Sequence, residues 1–419
     1  VPLLNDVTIA KRVVGNLWRS RVSRQRLSRR IATNETPKPG SITIAVYFAD
    51  SEVNMYQIRQ WYAPLAELSK RWPVAIISRS PGAAVLLMDE SPVPVLYLRQ
   101  VVDLEEFVAA QQVHVVLYVN QNPRNFQMMR YARMWHVFIN HGESDKVYMV
   151  TNQFKAYDYS LVAGQAALDR LGRKLWDFDL DRRAITIGRP QADHFAGDLP
   201  YLPDGRTVVL YAPTWEGDRA SASYGSVATH GVALVTALLA DQRYRVIYRP
   251  HPRSGVVDAA YGRANTAIIR AIAAANAADA TAQHVFDDGP GMGWQLVAAD
   301  VAITDISAMV YDRLATGKPI IVTRPVSPEA EIDSDGFLGS AVWLTADAAS
   351  DVIATVDRAA TDSAILADLE HWVHYYFGDT APGEATRRFH AAIERLDAEW
   401  HRHAALHAAD DTPPPAPAA

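Results

Sequence analysis

Trp135-His136-Val137-Phe138-Ile139-Asn140-His141-Gly142-Glu143-Ser144-Asp145-Lys146 is an apolar run that stops at Asn-His-Gly and turns abruptly polar. A strand buried in a parallel sheet reads this way when it carries a histidine to the sheet's edge. In open α/β sheets, ligands bind outside the carboxyl ends of the strands. Val246-Ile247-Tyr248-Arg249-Pro250-His251-Pro252 repeats the pattern downstream. Two strand-end histidines, one in each half of the chain, point to a two-domain enzyme with its site between the halves.

Around these runs, buried-strand patterns alternate with helical ones, which predicts parallel sheets with right-handed crossovers. Ile42–Phe48, Val74–Ile77, Val113–Val119, His136–Asn140, Tyr159–Val162 and Ile185–Gly188 are the strands expected first. Val53–Arg71, Asp103–Gln111, Asn125–Met134 and Gln165–Leu171 are the helices between them. The stretch 190–205, rich in Pro, Gly and Asp, is the expected interdomain linker. The alternation restarts at Thr207–Ala212 and runs through strands at Tyr244–Arg249, Val285–Phe286, Val301–Thr304 and Ile320–Thr323. Its helices are Val232–Ala240, Asn265–Ala278, Trp294–Ala298 and Ser307–Ala315, the last closed by Gly317. Three late helices, Ala349–Ala359, Ile365–His374 and Glu384–His403, complete the pattern. The expected division is a basic arm (1–40), a first Rossmann-like domain (41–195), a second (206–380), a C-terminal helix (381–410) and a disordered Pro/Ala-rich tail (411–419).

Composition limits the function. The 419 residues suffice for two α/β domains. The absence of cysteine rules out disulfide and thiolate chemistry and fits a reducing compartment. No apolar stretch approaches the ~18–20 residues of a membrane span, and the start lacks the order of a signal peptide. The net charge of −6 is uneven: the first 34 residues carry +7 and the remainder −13. An acidic body argues against nucleic-acid binding. In the arm, Val7, Val14, Leu17, Trp18, Val22 and Leu27 recur at near-helical spacing among arginines. That pattern suits a helix lying on an anionic membrane surface; a solvated leader or a helix packed on the body would look similar.

Several segments carry chemistry. Arg249-Pro250-His251-Pro252-Arg253 fixes one histidine between two prolines and flanks it with cations suited to phosphate. Ala212-Pro213-Thr214-Trp215-Glu216-Gly217 is a strand-end loop that offers N–H groups and the Thr214 hydroxyl. Thr304, Asp305 and Ser307 join a strand to a helix whose start favours anions. His141, titrating near neutral pH, is the candidate general base, with Gly142, Glu143, Asp145 and Lys146 beside it. No zincin spacing, Walker A sequence or calcium loop is present. The residues call for no metal and no cofactor.

Taken in order, His141-Gly142 with Lys146, Pro213-Thr214-Trp215, Arg249-Pro250-His251-Pro252 and Thr304-Asp305-Ile306-Ser307-Ala308 resemble the CDP-glycerol glycerophosphotransferase family, the teichoic-acid polymerases and primases. Tyr311-Asp312 and Lys318-Pro319-Ile320-Ile321 continue the likeness. The resemblance implies a GT-B fold and transfer of a phospho-polyol from a CDP-linked donor to an acceptor hydroxyl in a cell-wall polymer. It implies His141 as base, His251 on the donor diphosphate with Arg249 and Arg253, and Thr304, Asp305 and Ser307 at the donor's helix. Implied partners are a nucleotide-linked donor and a lipid-linked or polymeric acceptor, with the enzyme cytoplasmic and peripheral at the inner face of the membrane. The chain departs from the pattern at Glu143-Ser144-Asp145, where Thr-Pro-Leu is usual, at Glu216, where Arg is common, and at Ile306 and Ala308. The acidic residues beside His141 would either raise its pKa or bind a different acceptor. A GT-B glycosyltransferase using a nucleotide sugar and a UDP-sugar 2-epimerase are the alternative readings.

Overall fold

The first seven strands are parallel neighbours in one sheet, and the last six form another. The computed structural model describes residues 27, 28, 30, 31, 37–143, 150–289 and 291–407. In chain order the strands are β1 (Ile44–Phe48), β2 (Val74–Ser78), β3 (Val95–Tyr97), β4 (Val115–Tyr118), β5 (Trp135–Phe138), β6 (Tyr159–Val162) and β7 (Ala184–Thr186). The second set is β8 (Thr207–Ala212), β9 (Tyr244–Tyr248), β10 (Val285–Phe286), β11 (Val301–Thr304), β12 (Ile320–Thr323) and β13 (Val342–Leu344). The spatial orders are 3-2-1-4-5-6-7 and 10-9-8-11-12-13. Both reverse direction beside their first strand, the topological switch point of a Rossmann sheet. Val, Ile and Leu fill β1, β4, β8 and β11 because helices cover both faces of these strands. The result is the two-domain GT-B architecture.

Several elements differ from the sequence expectation. Val53–Arg71 is two helices, Met55–Arg59 and Tyr62–Leu68. Pro64 has no N–H to give the Gln60 carbonyl, so the helical ladder cannot pass that point. The break lets the buried Trp61 turn inward and donate its indole N–H to the Asn140 carbonyl at 2.5 Å. Asn125–Met134 is a short 3-10 turn, Pro123–Gln127, with the Asn122 side chain accepting from Arg124 N–H. Buried Asn125 donates to the Asn120 carbonyl at 2.7 Å, a bond that holds the chain in a turn. The helix Pro81–Glu90 and the edge strands β3 and β13 are additional.

The C-terminal helix, Glu384–Leu406, does not stay with the second domain. Its Phe389, Ala392, Ile393 and Leu396 enter the core of the first sheet, against Ile44, Val115 and Trp61. The preceding helix, Ser363–Phe377, packs through Val373 and Tyr376 on Ala166 of the helix Gln165–Lys174. The chain therefore ties the two domains together by crossing back. Most of the basic arm lies outside the described residues. Its end is described: Leu27 is buried against Ala84 and Val85, and Arg30 pairs with Asp89.

Candidate active site

His141 follows β5 at the carboxyl edge of the first sheet. Its turn is made by Asn140, which adopts the left-handed φ of 56° that Asn tolerates better than most residues. Asn140 braces the turn at both ends. Its side-chain oxygen accepts from His141 N–H at 2.8 Å, and its amide donates to the Gly142 carbonyl at 2.5 Å. Gly142 itself is outside the left-handed region, so the turn belongs to Asn140.

The His141 ring donates Nδ1–H to the Val119 carbonyl at 2.9 Å. A carbonyl can only accept, so this bond fixes the tautomer and leaves the lone pair on Nε2. Burial pushes the His141 pKa below 6.5; the Val119 bond opposes that and the Arg189 charge adds to it. The rise expected from neighbouring acids is not seen. Glu143 turns away into a buried ion pair with Arg170, while Asp145 and Lys146 lie outside the described residues. His141 is therefore a neutral imidazole near pH 7 whose Nε2 has no hydrogen-bond partner among the described residues, the state a general base requires.

Across from it, the loop after β9 is built around Glu216. This buried carboxylate accepts from the N–H groups of Gly255 (2.9 Å), Val257 (2.7 Å) and Asp258 (3.0 Å). Burial alone would raise the Glu216 pKa, but those N–H groups outweigh it and hold it low. Glu216 thus shapes the 251–258 loop from within. The Arg253 guanidinium stacks on Trp215 at 3.8 Å, and Arg253 N–H donates to His251 Nδ1 at 3.1 Å. In the neutral ring the proton must then sit on Nε2. His251 therefore presents a donor where His141 presents an acceptor. Burial and the Arg253 charge both lower the His251 pKa, against a smaller effect of Glu216.

The residues of the β11 edge are structural supports for this loop. Asp305, fully buried, accepts from Thr214 N–H at 2.8 Å, Ser226 N–H at 3.0 Å and the Thr323 hydroxyl at 2.5 Å. It fixes the Pro213-Thr214 turn rather than facing a ligand. Desolvation raises its pKa to about 6, with the donors from Ser226, Thr323 and Thr214 opposing. Ser307 caps the helix Ala308–Leu314, accepting from Met309 N–H at 3.2 Å. The Thr304 hydroxyl is buried with no partner among the described residues. Arg249, expected on phosphate, instead pairs with Asp287 and donates to the Gly289 carbonyl at 3.0 Å.

Arg189 was not singled out by the sequence reading, although Gly188-Arg189-Pro190 repeats the strand-end Arg-Pro of 249–250. It follows β7, stands 3.9 Å from where a Cβ on Gly142 would be, and donates to Gln60 at 3.0 Å. Its second partner is buried Asp312, on the helix that Ser307 caps. The Arg189–Asp312 ion pair thus joins the loop after β7, where the Arg189 charge acts on His141, to the helix whose cap, Ser307, lies two residues after Asp305. On the first domain's side a pocket opens beside His141, lined by Trp61, Asn140, Phe154, Arg170, Ile187 and Arg189.

With this geometry in view, residues 138–326 match the family described as CDP-Glycerol:Poly(glycerophosphate) glycerophosphotransferase. The match covers less than half of the chain and makes this segment similar to that family. The matched segment begins in β5, three residues before His141, and runs past β12, so it contains both histidines and the bridge between them. Among solved structures, the wall teichoic acid polymerase TagF is similar with a TM-score of 0.55 at 14% identity, covering 94% of this chain and 98% of that one. A putative UDP-N-acetylglucosamine 2-epimerase from Listeria monocytogenes has a TM-score of 0.54 at 12% identity, covering 86% and 98%. The S. aureus MnaA–UDP complex reaches 0.51 at 12% identity, covering 84% and 96%. At such identities these likenesses are of fold alone. No curated protein sequence matches the chain.

Proposed function

We propose that this chain is a glycerophosphotransferase that moves a phospho-polyol from a CDP-linked donor to an acceptor hydroxyl during synthesis of a teichoic-acid-like polymer. The observation that carries the reading is the opposite tautomers of the two strand-end histidines. His141 Nε2 takes the acceptor's proton as its oxygen attacks the β-phosphorus. The P–O bond to CMP breaks, and the electron pair leaves with CMP. His251 Nε2–H and the Arg253 guanidinium face the negative charge that gathers on the departing phosphate. Phosphate binding raises the His251 pKa and strengthens that bond. The work is positioning and charge stabilisation, as in other phosphoryl transfers.

The pocket beside His141 is the place for the acceptor; Arg170 and Arg189 line it, each already paired with a carboxylate, together with Glu143 and apolar side chains. The basic arm supports a lipid-linked acceptor and a peripheral position on the inner face of the membrane. Among the described residues no helix is long and apolar enough to cross a membrane. The related polymerase has been solved as a histidine variant soaked with CDPG, which supports a CDP-linked donor here. The likeness to 2-epimerases extends to fold and carries no competing chemistry.

A thermal-shift series with CMP, CDP-glycerol, CDP-ribitol and UDP-sugars, followed by an assay of CMP release, tests this reading. CMP and one CDP-polyol should stabilise the protein, and CMP should appear only when acceptor is present. Stabilisation by UDP-sugars without CMP would overturn it.

A further inference from the structure

A second cluster of histidine and carboxylate lies at the opposite edge of the first sheet, where the strands begin. His114 immediately precedes β4, is 5% exposed, and donates Nδ1–H to Asp397 at 2.6 Å. Its Nε2 is buried with no partner among the described residues. Asp397 and His401 stand four residues apart on the C-terminal helix, hence on one face. The His401 ring meets that of His114 edge-on at 4.9 Å, and Trp400 stacks on His114 at 3.7 Å. Trp400 is anchored in turn, its indole N–H donating to the Arg133 carbonyl at 2.9 Å. One ring nitrogen from each histidine and one Asp397 oxygen lie within 4.8 Å of one another.

We infer that His114, Asp397 and His401 bind a divalent transition metal of the zinc class, which fastens the C-terminal helix to the first sheet. Two imidazoles and a carboxylate form a donor set that such ions take and Mg2+ does not favour. Metal–ligand bonds of about 2.0–2.1 Å in a tetrahedron put ligand atoms roughly 3.4 Å apart. The His114–Asp397 pair at 2.6 Å must therefore open by about 0.8 Å as the metal displaces the proton between them, while the widest pair closes by about 1.4 Å at most, which rotation of the exposed His401 ring supplies, and water completes the shell. His114 and Asp397 are separated by 283 residues, so no sequence spacing announces the site.

The test uses the full chain, freed of metal with a chelator and titrated calorimetrically with Zn2+ or Mg2+, with melting followed in parallel. His401→Ala removes an exposed ligand far from the active site and leaves the fold and transferase activity in place. The wild type should take up one equivalent of Zn2+ with a rise in melting temperature, and Mg2+ should do neither. His401→Ala should weaken Zn2+ binding at least tenfold and abolish the rise, whereas His407→Ala, at the end of the same helix, should leave both unchanged. No Zn2+-dependent rise in the wild type, or an equal one in His401→Ala, overturns the inference.

Discussion

Asp305 offers the sharpest test of how the donor-side loop is held. Its carboxylate is fully buried with three donors and no cation, and its pKa rises from 3.8 to about 6. For an acid whose folded pKa lies above the unfolded one, the folded state holds the extra proton between those values. Stability then falls as pH rises from about 4 to 6 and stays lowered above that. A shift of roughly two pH units corresponds to about 3 kcal/mol. Asp305→Asn keeps one oxygen for the Thr214 and Ser226 N–H groups and mimics the protonated acid, since the Thr323 hydroxyl can rotate to accept from the amide. This variant should match the wild type near pH 4 and exceed its stability by about 1–3 kcal/mol at pH 8. Asp305→Ala strands the buried Ser226 N–H and the half-buried Thr214 N–H, and should be less stable than Asp305→Asn by about 2–4 kcal/mol. Urea unfolding followed by tryptophan fluorescence at pH 4 and pH 8 measures both differences. Equal loss in the Asn and Ala variants, or an Asn variant with the wild type's pH dependence, would refute the account.

The other predictions concern the cleft. His141→Ala should lower kcat by about 10²–10⁴ while leaving affinity for the CDP-linked donor unchanged, measured by CMP release and calorimetry. The acid limb of kcat/KM should have its midpoint below pH 6.5, because the base works in its neutral form and its pKa is depressed; Arg189→Gln should move that limb upward, since a positive charge beside His141 is removed. Asp312→Ala leaves Arg189 buried without its ion-pair partner and should cost about 3–5 kcal/mol, read by the same unfolding assay. Gly225→Ala places a Cβ 1.9 Å from the Tyr261 hydroxyl, so it should displace that hydroxyl from Thr214 and Val227 and reduce kcat/KM at least tenfold.

The two-domain fold was legible because its central strands are buried on both faces. Such strands announce themselves by apolar content alone, and β6, β8, β11 and β12 fall where the sequence reading put them. The strands it missed, β3 and β13, have only three residues each and lie at sheet edges; a run that short has no measurable periodicity. The broken helix at 53–71 was misread for a different reason. Its period is helical throughout, and only the missing Pro64 N–H and the inward turn of Trp61 toward Asn140 interrupt it. The return of the C-terminal helix to the first domain was beyond reach, because an apolar stripe says that a helix packs and not on what.

The site divides along the same physical line. Residue type and strand-end position picked out His141 and His251, but their opposite proton placement depends on Val119 and on the backbone of Arg253, and no side-chain pattern encodes a backbone partner. Glu216 shows the consequence. By charge alone a carboxylate there disfavours a donor phosphate, since it replaces a cation. In the fold it accepts three backbone N–H groups and holds the loop that carries His251 and Arg253. Loss of a cation at 216 is therefore compatible with donor binding, provided another arginine supplies the charge. Arg253, stacked on Trp215 beside His251, is placed to do so, whereas Arg249 is committed to Asp287. An Arg253→Ala change should thus impair donor affinity more than Arg249→Ala impairs it directly. The Arg249 variant should act through the 287–289 loop, and its defect should accompany a loss of stability that the Arg253 variant does not show.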